Sequence, residues 1–396
     1  MKKLAERALN ITPSVTLSID AKAKQMAAQG IKVVNFGVGE PDFDTPAHIA
    51  RAGIAAIEAG QTRYTPSSGT EKLRQAICQK LSRENQLTYS PAQIVVSNGA
   101  KHSIYNALLA LCDPGDEVIV PAPYWVSYPE MVKMAGGAPI ILDTREDEDF
   151  KVRPEELRAA ITPRTKALIL NSPSNPTGMV YTASELKVIA DLCVEHQIYV
   201  ISDEIYEKLI YDGTKHVSIA SFGADIKELT IVVNGMSKAY AMTGWRIGYT
   251  ASNSGLAAAM GSLQSHATSN PNSIAQEASV EALVGSQAAV SVMLQEFERR
   301  RRRMVELLNG LPGVSCRMPQ GAFYVMANIA GLLGASYDKE IILDDVRLAG
   351  VMLEKAYVAV VPGSGFGARN YIRLSYATSM ENIETGLGRM RSFLQS

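Results

Sequence analysis

The sequence is poor in the residues that build metal centres and disulfide frameworks, with only four cysteines and five histidines in 396 residues. Cys78, Cys112, Cys193 and Cys316 stand far apart with no CxxC spacing, which argues against a disulfide scaffold and against a zinc site. The histidines are scattered and no HExxH occurs, so no metal is expected. An excess of one charge is also missing: 39 lysines and arginines meet 40 acids, for a net charge of −1. That balance removes the electrostatic case for nucleic acid or an anionic membrane as a partner. No apolar run approaches the roughly 20 residues that cross a bilayer. The opening Met1-Lys-Lys-Leu-Ala has no signal-peptide core behind it, so a cytoplasmic protein is expected. What is present is 46% apolar, enough for a sizeable core and two domains.

The chain is organised around Ile231 to Tyr249. The β-branched run Ile231 to Val233 reads as a buried strand, breaks at Asn234-Gly235, sets Ser237 and Lys238 on a loop, and resumes as a strand over Arg246 to Thr250. A small-residue loop after a buried strand is where α/β folds carry binding groups. Eight residues after Lys238, Arg246 interrupts an apolar segment, where an unpaired guanidinium is costly and an anionic ligand is a natural partner. A lysine desolvated beside such a cation is partly neutral, and a neutral amine is a nucleophile.

Other stretches carry weaker signals. Asn10 to Ser18, polar and holding Pro13, reads as an extended arm, and Asp20 as the cap of a helix over Ala21 to Gln29. Ile31 to Phe36 is expected as a strand, leading to the loop Gly37 to Asp44. The Gly-x-Gly in that loop is not a dinucleotide fingerprint, because no third glycine opens a helix; Gly39 suits close approach to a small substrate. Ile94 to Ser103 reads as strand, turn and helix, placing the N–H groups of Gly99, Ala100 and Lys101 at a helix N-terminus that favours phosphate. The strand Lys166 to Leu170 ends in Asn171 to Gly178, a turn rich in Asn, Pro and Gly. The apolar run from Ile198 stops at Asp203 and Glu204. Asp203 would lie at the carboxyl end of a parallel strand, where such sheets place ligands; an acid–base pair of the two carboxylates is the rival reading. Ala288 to Gly310 predicts an amphipathic helix whose Arg299 to Arg303 form a solvated face among Glu296, Glu298 and Glu306. Short strands after it, including Val358 to Val361 and Tyr371 to Ser375, predict a small α+β domain, and alternation alone makes Arg373 an exposed strand residue.

Ser237-Lys238-x-x-x-Met242-x-Gly244-Trp245-Arg246-x-Gly248 resembles the pyridoxal-phosphate lysine signature of the fold-type I, class I aminotransferases, in the wording of the bacterial-type aspartate enzymes, and the resemblance covers nearly the whole chain. It implies an α/β fold: a large domain with a mostly parallel seven-stranded sheet between helices, plus a smaller α+β domain. Residues 1–45 would form an arm and part of the small domain, 46–285 the cofactor domain, and 286–396 the rest of the small domain. By the same resemblance Lys238 holds pyridoxal 5'-phosphate and moves the substrate proton, Asp203 supports the ring nitrogen, Tyr206 and Asn175 address the phenolic oxygen, and Trp125 covers the ring. Ser237, Arg246 and the Gly99-Ala100-Lys101 turn would hold the phosphate. Tyr64 would reach the phosphate of a neighbouring subunit, making the active site the property of a homodimer.

Arg373 would clamp the substrate α-carboxylate, with Gly39, Trp125 and Asn175 beside it. Ser14, Thr16 and Lys101 match positions that address a distal carboxylate. The implied substrates are amino acids and 2-oxo acids, with L-aspartate and 2-oxoglutarate giving oxaloacetate and L-glutamate. Relatives that also use prephenate carry a lysine where this chain has Thr12, which puts prephenate in doubt. Kynurenine, aromatic and alanine aminotransferases would share the cofactor residues, and a β-elimination lyase or cyclopropane-carboxylate synthase would share the fold. A regulator's sensor domain would need an added DNA-binding helix-turn-helix.

Overall fold

Runs of valine, isoleucine and leucine that are apolar at every position, not at alternate ones, mark strands covered on both faces. The computed structural model, which describes residues 2–396, assembles them so. After β1 (Val34–Asn35) come β2 (Ile94–Ser97), β3 (Glu117–Ala122), β4 (Ala138–Asp143), β5 (Thr165–Asn171), β6 (Tyr199–Asp203), β7 (Thr230–Gly235) and β8 (Gly248–Ala251). β2 to β8 form one seven-stranded sheet in the order β2-β8-β7-β6-β5-β3-β4. Every pairing from β4 across to β7 is parallel, while β8 runs antiparallel to both β7 and β2. Alternate side chains face opposite layers. Val118, Val120 and Ile169 pack with Ile104 and Met260 of two helices on one face, whereas Ile119, Leu168 and Leu170 meet Leu186 and Ile189 on the other.

The later chain builds a second layer. β9 (Ser315–Cys316), β10 (Tyr324–Asn328), the hairpin β11 (Ser336–Tyr337) and β12 (Glu340–Ile341), β13 (Val358–Ala359), β14 (Val361–Pro362) and β15 (Tyr371–Ser375) follow in order. A four-stranded antiparallel sheet, β14-β15-β10-β9, packs against the helices Ala288–Asn309 and Met380–Leu394. β1 pairs in parallel with β13, so the N-terminal segment joins the C-terminal part of the chain.

Four expectations change. The helix expected over Ala21 to Gln29 starts at Val15 instead, after Ser14, which takes the last four residues, Val15 to Ser18, from the predicted arm. Its apolar stripe of Ile19, Ala23 and Met26 packs on Leu353 and Ala359, a tertiary contact that outweighs the polar composition of the segment. The strand expected over Ile31 to Phe36 contracts to Val34–Asn35. The Val358 to Val361 run is split at Val360, one half pairing with β1 and the other with β15. The arginine run is not one solvated face. Arg301 is wholly buried, donating to Pro319 O at 2.5 Å and to Asp212 Oδ2 at 2.6 Å, with its guanidinium 4.6 Å from the Tyr211 ring centre. Arg300 is buried against Asp42 and Glu296, while Arg299 and Arg302 stay exposed. Among the described residues no helix is long and apolar enough to cross a membrane.

Candidate active site

The carboxyl ends of β5, β6 and β7 open into a cavity of about 450 Å³ whose far wall comes from the second layer. Open α/β sheets place ligands there because the loops after the strands diverge and leave a crevice. Lys238 stands on the loop that leaves β7 and returns as β8. Its Nζ donates to the carbonyl of Gly39 at 2.6 Å. Burial pushes its pKa down from 10.5 to about 8; Arg246 and Arg373 add to the depression, while Glu40 and Asp203 oppose it. Such an amine is still mostly protonated at neutral pH but gives up its proton far more readily than an ordinary lysine.

Asp203, the last residue of β6, lies on the cavity floor. Its Oδ2 accepts from the Tyr128 hydroxyl at 2.6 Å and its Oδ1 from the Ile205 N–H at 3.2 Å. Burial raises the carboxyl to about 6, against the opposing pull of those donors. Glu204 points the other way, to the hydroxyls of Ser202 and Ser218 and to His216, so the two acids do not act as a pair. Folding does gather histidine and acids that looked scattered: Glu204, Glu207 and His216 lie within 4.8 Å of one another. The buried Lys80 ammonium pairs with Glu207 and supplies the positive charge.

Asn171 links two parts of the site. Its Nδ2 donates to Asp203 O at 3.0 Å and its Oδ1 accepts from the Asn175 N–H at 2.7 Å, holding the turn after β5 against the end of β6. Asn175 Oδ1 accepts from Arg373 Nη1 at 3.1 Å, which leaves its amide donors for the cavity. Arg373, expected by alternation to be exposed, is only 2% exposed. It lies on β15, a middle strand of the four-stranded sheet, and the sheet face it shares is the cavity wall. Its Nη2 donates to Gly37 O at 2.8 Å, the guanidinium carbon lies 4.4 Å from the Tyr324 ring centre, and Nε has no partner. A buried, incompletely bonded guanidinium calls for an anion.

At the opposite end the helix Ala100–Leu111 begins on Gly99, whose φ of +90° and closeness to Arg246 exclude a side chain: a Cβ there would lie 2.3 Å from Arg246 Nη2. Ala100 and Lys101 open that helix, so their N–H groups lack intrahelical acceptors. Gly248 is equally confined, since a Cβ would fall 2.2 Å from Ala100 N. Ser237 is buried in the adjoining wall. This glycine-lined end, with a helix start and a guanidinium, fits a phosphate. Arg246 departs from expectation in one respect. It is exposed and lies in a left-handed turn, φ +57°, after Thr243–Trp245 instead of within the strand, which begins at Gly248. That turn lifts the guanidinium off the sheet to the cavity rim, so burial is not what makes it seek an anion.

Trp125 is half-buried in the cavity wall, edge-on to Tyr128, with Lys101 Nζ 4.8 Å from its ring centre. Tyr206 lies across the floor and shares a 3.0 Å hydrogen bond with the Tyr324 hydroxyl. Ser14 and Thr16, bonded to each other at 2.9 Å, line the mouth from the first turn of the N-terminal helix. Tyr64 is not brought to the cavity; it is 91% exposed on the surface. Tyr324 and Asn171 were missed as site residues. In Gly321-Ala-Phe-Tyr-Val-Met326 every side chain is apolar or aromatic, so no periodicity sets Tyr324 apart, whereas Asn171 was at least flagged by its turn.

Comparison with known proteins agrees with this geometry. The family model "Aminotransferase class I and II" matches residues 31–390. An aspartate aminotransferase of Geobacillus stearothermophilus is 49% identical, over 100% of this chain and 99% of that protein. An aspartate/prephenate aminotransferase of Nitrosomonas europaea is 45% identical, over 99% and 100%. Among solved structures, the aspartate aminotransferase of Rhizobium meliloti superposes with a TM-score of 0.97 at 43% identity, covering 100% of this chain and 99% of that one. That of Thermus thermophilus with maleate gives 0.94 at 44%, covering 99% and 100%. A lysine between a phosphate-shaped cradle and a buried arginine, matched over its full length by such relatives, establishes that the chain belongs to the class I and II aminotransferases.

Proposed function

We propose that this protein is an aspartate aminotransferase, a cytoplasmic homodimer that moves the amino group of L-aspartate to 2-oxoglutarate. The family's cofactor is pyridoxal 5'-phosphate. Its phosphate suits the Gly99 to Lys101 helix start with Ser237 and Arg246, its ring nitrogen Asp203, its phenolic oxygen Tyr206 and the free amide of Asn175, and its ring face Trp125. When bound, the cofactor supplies an electron sink for the charge left at the substrate Cα. The observation that carries the reading is the pairing of Lys238 with Arg373 in one cavity: an amine whose pKa is pushed down to about 8 and a buried guanidinium with an unpartnered Nε.

Arg373 binds and orients the α-carboxylate, fixing which Cα bond faces Lys238. Lys238 Nζ takes the proton from Cα of the amino donor and, in the opposite half-reaction, gives one to Cα of the accepting 2-oxo acid, a role that needs a pKa near the working pH. Lys101, Ser14 and Thr16 supply a cation and two hydroxyls for a second carboxylate, which favours a four- or five-carbon dicarboxylic amino acid over alanine or an aromatic one. Thr12 adds no cation; its N–H donates to Glu130 at 3.1 Å, so prephenate is left out of the proposal. Tyr64, exposed on one subunit, is assigned to the phosphate of the other. The chain is read as two domains, with 46–285 holding the cofactor and 286–396 joining the N-terminal segment.

The test is a half-reaction. Protein loaded with cofactor is mixed with L-aspartate alone while the visible absorbance is followed, and 2-oxoglutarate is then added. A change with aspartate that 2-oxoglutarate reverses supports the proposal. Indifference to aspartate with a response to alanine or aromatic amino acids overturns the substrate.

A further inference from the structure

Resting on the proposed function above, we infer that Tyr324 is a positioning residue of the site: its hydroxyl drives Tyr206 as a hydrogen-bond donor, and its ring holds the Arg373 guanidinium in place. Tyr324 is 1% exposed and lines the cavity from β10. β10 pairs with β15 so that Met326 stands opposite Arg373, which makes Tyr324 its diagonal neighbour on the same sheet face. The Arg373 guanidinium carbon lies 4.4 Å from the centre of the Tyr324 ring, a cation–π arrangement whose second face is supplied by Phe366 at 4.8 Å.

The two hydroxyls of Tyr206 and Tyr324 lie 3.0 Å apart. Each has one proton. If Tyr206 gives its own to an acceptor in the cavity, the bond between the tyrosines must be donated by Tyr324, and a phenol that accepts a hydrogen bond is a better donor in turn. The rings meet nearly edge-on, centroids 5.8 Å apart at 82°, which keeps both hydroxyls aimed at one another. Gly39, whose carbonyl accepts from Lys238, leaves the space: a Cβ there would sit 3.0 Å from the Tyr324 hydroxyl. Tyr324 therefore crowds the position that the sequence assigned to close approach by a small substrate. Tyr324 thus touches the settings of Lys238, Tyr206 and Arg373 together.

The experiment compares wild-type protein, Tyr324→Phe, Tyr206→Phe and the double variant, each loaded with pyridoxal 5'-phosphate and free of substrate. The visible absorbance is titrated with pH. Donors at the phenolic oxygen favour the deprotonated chromophore, so Tyr324→Phe raises the midpoint by about half a pH unit, a threefold change in proton affinity. Tyr206→Phe raises it further, and the double variant matches Tyr206→Phe alone, because Tyr324 acts through Tyr206. An unmoved midpoint in Tyr324→Phe, or additive shifts in the double variant, overturns the relay. For the ring, succinate binding is measured by its effect on the same spectrum: Tyr324→Phe binds within twofold of wild type, and Tyr324→Leu binds about tenfold more weakly. Equal binding by Tyr324→Leu overturns the clamp role. A wild-type protein that shows no cofactor absorbance fails the proposed function itself, before any variant is compared.

Discussion

Replacing Lys238 by methionine removes the proposed catalytic amine and, in the cofactor-free protein, should make the fold more stable at neutral pH. The pKa of Lys238 falls from 10.5 to about 8. At about 1.4 kcal/mol per pH unit, holding its charge in the site costs roughly 3 kcal/mol relative to the unfolded chain. The hydrogen bond to Gly39 O, worth about 1 kcal/mol, returns part of this. Methionine fills similar space without charge, so the variant gains about 2 kcal/mol at pH 7. The sign then reverses with pH. Below pH 8 both states of the wild type hold the proton and the cost is complete. Between pH 8 and 10.5 the folded state has lost the proton that the unfolded state keeps, so wild-type stability rises relative to the variant. Above 10.5 the cost has gone and only the lost hydrogen bond remains, leaving the variant weaker by about 1 kcal/mol. Urea unfolding of both cofactor-free proteins at pH 7 and pH 9.5, followed by tryptophan fluorescence, reads the difference directly. An advantage that is absent at pH 7, or equal at the two pH values, would refute a charged and desolvated Lys238.

Three further outcomes are expected. Arg373→Lys keeps the charge but loses the two-pronged grip, so kcat/KM for the amino acid falls about 100-fold, mostly through KM, in steady-state assays. Tyr128→Phe removes the donor that lowers the Asp203 carboxyl from the level set by burial. That carboxyl then stays protonated to higher pH, and the acid limb of the kcat/KM–pH profile moves upward by about half a unit. Arg301→Met leaves Asp212 paired with Arg302 but strips the Pro319 carbonyl of a buried donor and the Tyr211 ring of its guanidinium, and should cost about 2 kcal/mol in urea unfolding, whereas Arg299→Ala, at an exposed pair, leaves the midpoint unchanged within error.

The site was legible where chemistry is carried by unusual residues in fixed register. Asp203 ends a buried strand, Lys238 and Asn175 sit on the loops that follow two others, and the cavity gathers all three. Residues whose position depends on distant partners were less readable. Arg373 and Arg301 both look solvated by local periodicity, yet each is buried by elements far along the chain: Gly37 and Asn175 around the first, Asp212 and Pro319 around the second. Tyr324 is hidden in a uniformly apolar strand. The start of the N-terminal helix was misplaced because its apolar stripe finds its partners only at Leu353 and Ala359. The seven-stranded sheet was implied by the family resemblance; the continuous β-branched runs by themselves mark buried strands but fix neither their number nor their order.

The hydrogen bond from Arg373 to the carbonyl of Gly37, reinforced by the β1–β13 pairing, ties early and late parts of the chain together at the proposed carboxylate clamp. With Arg373 and Lys238 in their proposed roles, this arrangement guards fidelity. A cofactor-bearing lysine without its carboxylate clamp would process amines indiscriminately, and an enzyme whose selecting group lay on an independently fraying segment would spend part of its time in that state. Here the segment that supplies Gly37 and Gly39 cannot loosen without disturbing both the clamp and the carbonyl that holds Lys238. Loss of selectivity and loss of reactive geometry therefore coincide, and the partly opened molecule falls silent instead of becoming promiscuous.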